Sequence, residues 1–244
     1  MDHHEKVKVA LVTGCSSRFG HATALALNSQ GFHVVAAGPR EVELLGLRDR
    51  GCEIVELDIT DEKHRVRAVQ IAERHHGAVD ALVNNTVDGQ CLSIEHSTLD
   101  AIRKQFETNV FGSIRMAQLV LPAMRLQRSG RIVDLSSTAG EPARSGTGIS
   151  RATVHARDAV GAALRMELDE AGIHVIAIQP AGTNTEAREI ARTVVEAATV
   201  DHPAARYYVG MFSRRMPVLD RSTPESVWDA AMLAKRPGEP RKHH

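Results

Sequence analysis

Lysine and tyrosine are scarce in this 244-residue chain, and the gaps they leave are long. The six lysines stand at 6, 8, 63, 104, 235 and 242, and the two tyrosines are Tyr207 and Tyr208. Any mechanism that takes a phenol or an ammonium group from residues 105–206 is therefore excluded. Cysteine is rarer still. Cys15, Cys52 and Cys91 are odd in number, far apart and without CxxC spacing, which implies neither a disulfide framework nor a zinc site. Neither sign of charge is in excess: 30 basic residues balance 30 acidic ones, which rules out a strongly basic nucleic-acid surface. No apolar run approaches the ~18–20 residues that a membrane span requires. The first eight residues lack the apolar core of a signal peptide. A cytoplasmic protein without a nucleic-acid or membrane partner is expected. The thirteen histidines do not suggest a metal, because the pairs at His3-His4, His75-His76 and His243-His244 are adjacent and no HExxH occurs.

What is present is alternation. Apolar runs at Val7–Thr13, Phe32–Ala37, Glu53–Leu57, Val79–Val83, Arg131–Leu135 and His174–Ile178 read as six strands. Helix-period segments separate them at Ala22–Gln30, Glu41–Arg50, Asp61–His76, Leu99–Arg128 (broken near Pro122) and Ala152–Ala171. Strands that are apolar throughout, each followed by a helix, predict a parallel sheet covered on both faces. Right-handed crossovers make that a Rossmann-type doubly wound α/β fold in a single domain, 1–244, with strand order 3-2-1-4-5-6. Residues 183–223 are mixed in pattern. Ser222-Thr223-Pro224-Glu225 opens a capped helix, and 235–244 is a tail expected to fray.

Between the first strand and first helix lies Thr13-Gly14-Cys15-Ser16-Ser17-Arg18-Phe19-Gly20. A glycine loop there either holds a dinucleotide pyrophosphate on backbone N–H groups or is an ordinary strand-to-helix turn. Further along come Asp58 after the third strand, Asn84-Asn85-Thr86-Val87 after the fourth and Asn109 inside the long helix. Ser136-Ser137-Thr138-Ala139-Gly140 follows the fifth strand, and Pro180 and Thr185 follow the sixth. In that order these residues resemble the classical short-chain dehydrogenase/reductase family over residues 6–234. The resemblance implies that Gly14, Ser16 and Gly20 contact cofactor phosphates, Asp58 the adenine and Asn85 the adenosine ribose region. Pro180 and Thr183 would line the cofactor after the sixth strand. The second strand ends in Gly38-Pro39-Arg40 without the acid that reads a free ribose 2′-OH, so Arg40 points to NADP(H) or is a solvated arginine. The resemblance also implies a substrate lid over 183–223, a small-molecule substrate beneath it, a homodimer or homotetramer, and a seventh strand after the last helix. The chain leaves only ten residues for that strand, so it is expected to be missing or replaced by Arg206–Gly210.

The resemblance fails where the chemistry should be. Arg18 stands at the loop's middle glycine, where a side chain either fills the pyrophosphate space or pairs with a phosphate. The family's YxxxK pair, counted from Ser137, falls on Ser150 and Val154. An aliphatic hydroxyl is a far weaker acid than a phenol, and valine supplies no charge to lower its pKa. The standard hydride transfer should be nearly absent. Ser137 and Asn109 remain, either as catalytic residues or in backbone-bonding roles. Asp134 shares a strand face with Ser136 and is a candidate buried acid. Arg151, His155 and Asp158 share a helix face, which makes His155 part of a base–nucleophile set with Ser150 or part of a polar stripe. Tyr207 or Tyr208 could enter the cleft as a replacement phenol. The expectation is a non-redox enzyme on a small carbonyl compound (a cyclase, dehydratase or isomerase) or an inactive auxiliary protein. The alternatives are an NADP-dependent oxidoreductase with a rebuilt proton relay and a nucleotide-sensing regulator.

Overall fold

All four residues of β1 (Val9–Val12) are buried, and the strand lies between β2 (His33–Gly38) and β4 (Ala81–Asn84). A strand walled on both faces must be apolar throughout, as this one is. In the computed structural model, which describes residues 7–85, 93–136, 146–180 and 185–210, the parallel sheet extends outward on both sides. β3 (Glu53–Glu56) lies beyond β2, and β5 (Gly130–Leu135), β6 (Ile173–Pro180) and β7 (Arg206–Val209) lie beyond β4. The order is 3-2-1-4-5-6-7. The doubly wound sheet is therefore the one expected, but it has seven strands rather than six. The RYYV segment supplies the extra strand, pairing Arg206 with Ala177 and Val209 with Pro180. Aromatic and β-branched residues suit a strand, and the free edge of β6 offers them a backbone ladder.

Side chains alternate between two cores. Ala10, Val12, Val34 and Ile178 pack with α1 (Arg18–Ser29) and α7 (Ala187–Thr199). Val9, Leu11, Val35 and Ile132 pack with α3 (Glu62–His76) and α5 (Gly112–Gln127), and α6 (Gly148–Glu167) covers the same face over β6. The remaining helices are α2 (Leu45–Arg48) and α4 (Leu99–Phe106).

Two further expectations need correction. Residues 187–209 do not form a lid: α7 buries Ile190, Ala191, Val194, Ala197 and Ala198 and runs into β7. Apolar positions three, four and seven apart make it a core helix. The long helical region is interrupted not near Pro122 but at Glu107–Phe111, one π-type turn that brings Asn109 and Val110 inward together. Pro122 is exposed within α5, and the carbonyl its ring leaves unbonded, on Gln118, belongs to an exposed residue. The expected helix near 225–234 and the tail lie outside the described residues, as do Thr86 and Val87.

Candidate functional site

The β1–α1 turn is held from three directions. Gly14 sits at φ 64°, a left-handed conformation that suits glycine, and a Cβ there would lie 3.0 Å from the Asn85 amide and carbonyl. A Cβ on Gly20 would collide with the Gly14 carbonyl oxygen and come within 2.5 Å of Asn85 Nδ2. Asn85 Nδ2 donates to the carbonyls of Thr13 (3.2 Å) and Gly14 (2.9 Å) and to Ser17 Oγ (2.9 Å). Its backbone N–H donates to Thr13 Oγ1 at 3.0 Å. Ser17 is the N-cap of α1, its hydroxyl accepting from the Gly20 N–H and donating to the Gly14 carbonyl. Cys15 is buried, its N–H donating to the Ala37 carbonyl and its thiol to the Val12 carbonyl at 3.1 Å. Burial first, and Cys52 nearby, push the Cys15 thiol far above its ordinary range. Asn85, expected near a ribose, thus acts as the clamp of the loop.

Arg18 is the first residue of α1. Its guanidinium lies 5.1 Å above the Phe19 ring and donates from NH2 to the Thr185 carbonyl at 3.1 Å. The side chain therefore spans from the glycine loop to the segment after β6. The backbone N–H groups of Arg18 and Phe19 have no acceptor among the described residues, the ordinary condition of a helix start and the one an anion uses.

The exit of β2 holds a feature the sequence reading missed. Arg40 is not free for a phosphate: its NH2 donates to Glu43 Oε1, one turn on. The Ser16 hydroxyl, then Arg40, hold the Glu43 carboxyl below the usual carboxylate range. Asp58 also serves a turn, Oδ1 accepting from the N–H (2.9 Å) and hydroxyl (2.7 Å) of Thr60. The spacing Arg40-x-x-Glu43 was the available signal, since residues three apart in a helical turn meet.

On the other side of the sheet, Ser150 is half-buried in the first turn of α6 and Val154 is buried one turn on. Asn109, 2% exposed, donates from Nδ2 to Thr153 Oγ1 at 3.0 Å, and Thr153 Oγ1 donates to the Ser150 carbonyl at 2.7 Å. Its amide thus braces the turn that carries Ser150. Asp134 and Ser136 do share a face. Asp134 Oδ1 accepts from Asn84 Nδ2 at 2.9 Å and lies 3.5 Å from NH2 of Arg157, a 6% exposed arginine that the sequence reading passed over. Its signal was Asp134 itself, because an acid within an apolar strand requires a partner. Asn84 Oδ1, Ser136 Oγ, Arg157 Nε and Gln179 Oε1 are buried without a hydrogen-bond partner among the described residues. Two cavities of about 20 and 10 Å³ flank the Asp134–Arg157 pair.

His155 and Asp158 do not form a pair. His155 is exposed, while Asp158 Oδ2 accepts from Gln179 Nε2 (2.9 Å) and Arg206 NH1 (3.2 Å). Tyr207 packs against the α1–α7 core and its oxygen accepts from the Ala204 N–H at 3.2 Å, so it is a strand residue and not a replacement phenol. Tyr208 neighbours Gln179 in the same ladder. Pro180 ends β6 opposite Val209, and buried Thr185 points its hydroxyl to the Val209 carbonyl at 3.5 Å. Ser137 and Thr183 lie outside the described residues. Among the described residues no three His, Cys, Asp or Glu side chains converge as a metal site requires, and no helix is long and apolar enough to cross a membrane.

A parallel sheet of this order, with a glycine turn leading into its first helix, defines a Rossmann-type nucleotide fold. The chain belongs to the short-chain dehydrogenase family, whose model matches residues 8–194. It is 32% identical over 207 residues to an uncharacterized oxidoreductase, YbbO, of Escherichia coli K12, spanning 83% of this chain and 77% of that protein. The crystal structure of a short-chain dehydrogenase from Streptomyces avermitilis superposes with a TM-score of 0.82 at 26% identity, covering 95% of this chain and 99% of that one. A metagenomic short-chain oxidoreductase in complex with NADP shares the fold with a TM-score of 0.78 at 22% identity, over 84% of this chain and 98% of its own.

Proposed function

We propose that this protein keeps the short-chain dehydrogenase fold but has lost the family's machinery for NAD(P)-dependent hydride transfer. It then works as a non-redox enzyme on a small carbonyl compound, of the cyclase, dehydratase or isomerase type, or as an auxiliary protein. The observation that carries the reading is the first turn of α6. Counted from Ser137, Ser150 and Val154 fall where the family's Tyr and Lys would stand, and residues 105–206 contain neither residue type. General acid–base help is worth about 10²–10⁴-fold, and a serine hydroxyl beside a valine cannot supply it. Ser137 is the remaining candidate to hold a carbonyl oxygen, and Asn109 braces the turn that carries Ser150. A second reading, a nucleotide-sensing regulator, is favoured by the two N–H groups at the start of α1 that have no acceptor among the described residues. A cytoplasmic location and a homo-oligomer belong to the same proposal.

NADP(H) fits the site poorly. The Arg18 side chain stands at the loop's middle-glycine position, where added bulk takes space that a pyrophosphate needs, and it reaches to the Thr185 carbonyl. Purified protein should give no measurable NAD(P)H oxidation with a panel of ketones and aldehydes. Turnover within tenfold of an ordinary family enzyme would sink the proposal. In calorimetric titration the wild type should bind NADPH weakly, and Arg18→Gly should bind it at least about tenfold more tightly, through recovered charge-assisted hydrogen bonds. The reverse order would make Arg18 a phosphate ligand and return the protein to the oxidoreductase or sensor reading.

A further inference from the structure

We infer that the sheet carries a second ligand site at the end remote from the glycine loop, a pocket for the carboxylate of a short-chain organic acid. It lies where β6 and β7 have not yet joined. Their ladder begins at Ala177 and Arg206, where the Ala177 N–H donates to the Ala205 carbonyl at 3.0 Å. Before that rung the two chains part around a cavity of about 130 Å³. A single water needs only about 10–15 Å³ of such space, so this cavity has room for a molecule of several heavy atoms. The glycine loop follows the C-terminal end of β1, whereas the cavity lies beside the N-terminal half of β6. The inference is therefore independent of any nucleotide.

The walls are rich in donors. Ala177 turns its N–H to β7, so Val175, two residues earlier in the strand, turns its backbone groups to the same edge. The Val175 carbonyl accepts from Arg165 Nε at 2.9 Å. Its N–H, on a residue only 2% exposed, has no acceptor among the described residues. A buried N–H in that condition costs free energy and calls for an acceptor. Arg165 spans the gap, its NH2 donating to the Ala205 carbonyl at 3.3 Å. Those two bonds fix the guanidinium, while NH1 has no partner among the described residues. The two acids that act on Arg165 from a distance are engaged elsewhere, Asp158 with Arg206 and Gln179, and Asp134 with Arg157 and Asn84. Half-buried His174 lines the same cavity, and Arg131 and His202 add positive charge beside it. Ile173 and Pro203 supply an apolar wall. A carboxylate answers this set. Its oxygens accept from the Val175 N–H and Arg165 NH1, while a short carbon chain lies against Ile173 and Pro203. Asp169, the acid on the lining, is exposed at the rim and holds down the affinity for an anion.

The test follows the Val175 amide by NMR as sodium butyrate is added at constant ionic strength, with sodium chloride and butylammonium chloride as controls. Butyrate is expected to shift that amide saturably, with a Kd of about 1–10 mM, and the controls to leave it unmoved. Arg165→Gln should weaken butyrate binding at least about tenfold, and Asp169→Asn should tighten it about threefold. Ala205→Leu enlarges an exposed side chain on the lining without altering a charge, and should abolish binding. Melting curves confirm that each variant is folded. A shift that rises without saturating, or that chloride reproduces, overturns the inference and leaves the gap to water. So does an affinity that both Arg165→Gln and Ala205→Leu leave unchanged. Tighter binding of butylammonium than of butyrate, lost on Asp169→Asn, would overturn it in favour of a cation site.

Discussion

The turn between β1 and α1 and the inner face of α6 are built in opposite ways. In the turn, Asn85, Thr13 and Ser17 bond to one another and to the backbone, and Gly20 has no room for a methyl group. Beneath α6, four buried polar atoms have no partner among the described residues and the Asp134–Arg157 contact is long, at 3.5 Å. Both regions lie within one cooperative sheet, so the difference is not one of general looseness. The turn is over-determined, with each constraint backed by another. The α6 face has taken polar residues into an apolar slot, satisfied only in part, and the fold tolerates it. Such a face is where chemistry can be rewritten without dismantling the structure that carries it.

The sharpest way to break that contrast is Gly20→Ala. If the turn is as tight as the contacts imply, this one methyl group costs at least about 3 kcal/mol in urea unfolding, since neither the Gly14 carbonyl nor the buried Asn85 can yield cheaply. A loss under about 1 kcal/mol would mean the turn is as forgiving as α6.

The α6 face should respond by kind of replacement. Arg157→Ala leaves Asp134 and Asn84 facing a cavity and should cost about 2–3 kcal/mol, at or below the usual range for breaking a buried pair because its contacts are long. Replacing both members, Asp134→Asn with Arg157→Leu, should return stability to within about 1 kcal/mol of wild type or above it. A double variant as unstable as the single one would show that the pair, not its packing volume, holds this face together.

The smallest effect is expected at the other end of β5 and β6, where Arg131 and His174 are register partners. Burial, then Arg131 and His202, hold His174 below its ordinary value, with Asp169 opposing. The unfolded chain therefore takes up this proton first. The contribution of His174 is complete above the unfolded value near ~6.5 and is lost as pH falls from there through the folded value. His174→Gln should flatten the stability curve below about pH 6.5 and leave it unchanged at pH 8, as followed by denaturant midpoints. A steeper acid limb in the variant would mean that His174 is stabilised in its charged form.

How much of this was readable beforehand follows from the range of each interaction. Six strands were legible because a strand buried on both faces writes its environment into every residue, as Val9–Val12 does. The seventh was visible only as one of two options for RYYV, because strand pairing depends on an edge 29 residues away (Ala177 to Arg206). The glycines of the loop were legible as glycines, but not Asn85 as their clamp, which joins Gly14 to a residue 71 positions on. Arg40 was read as a lone cation, yet its meaning changes with Glu43. Asp134 was read as an acid in search of a role, and the role lies across a helix, at Arg157. Local pattern gave the elements, whereas pairing between charges needed the third dimension.

Cys15 gives the β1–α1 turn its own clock. Its thiol is enclosed and donates to the Val12 carbonyl, and a thiol held so far from ionising is inert towards alkylating reagents while the turn stays closed. Reaction then proceeds only through molecules in which Cys15 has swung out. In a chain carrying Cys15 as its single cysteine, the labelling rate at high reagent concentration equals the opening rate of the turn, and the rate at low concentration gives the opening equilibrium. A nucleotide phosphate seated on the start of α1 would slow that clock in proportion to its occupancy. Ligands could therefore be ranked by covalent kinetics alone, with no optical signal and no turnover.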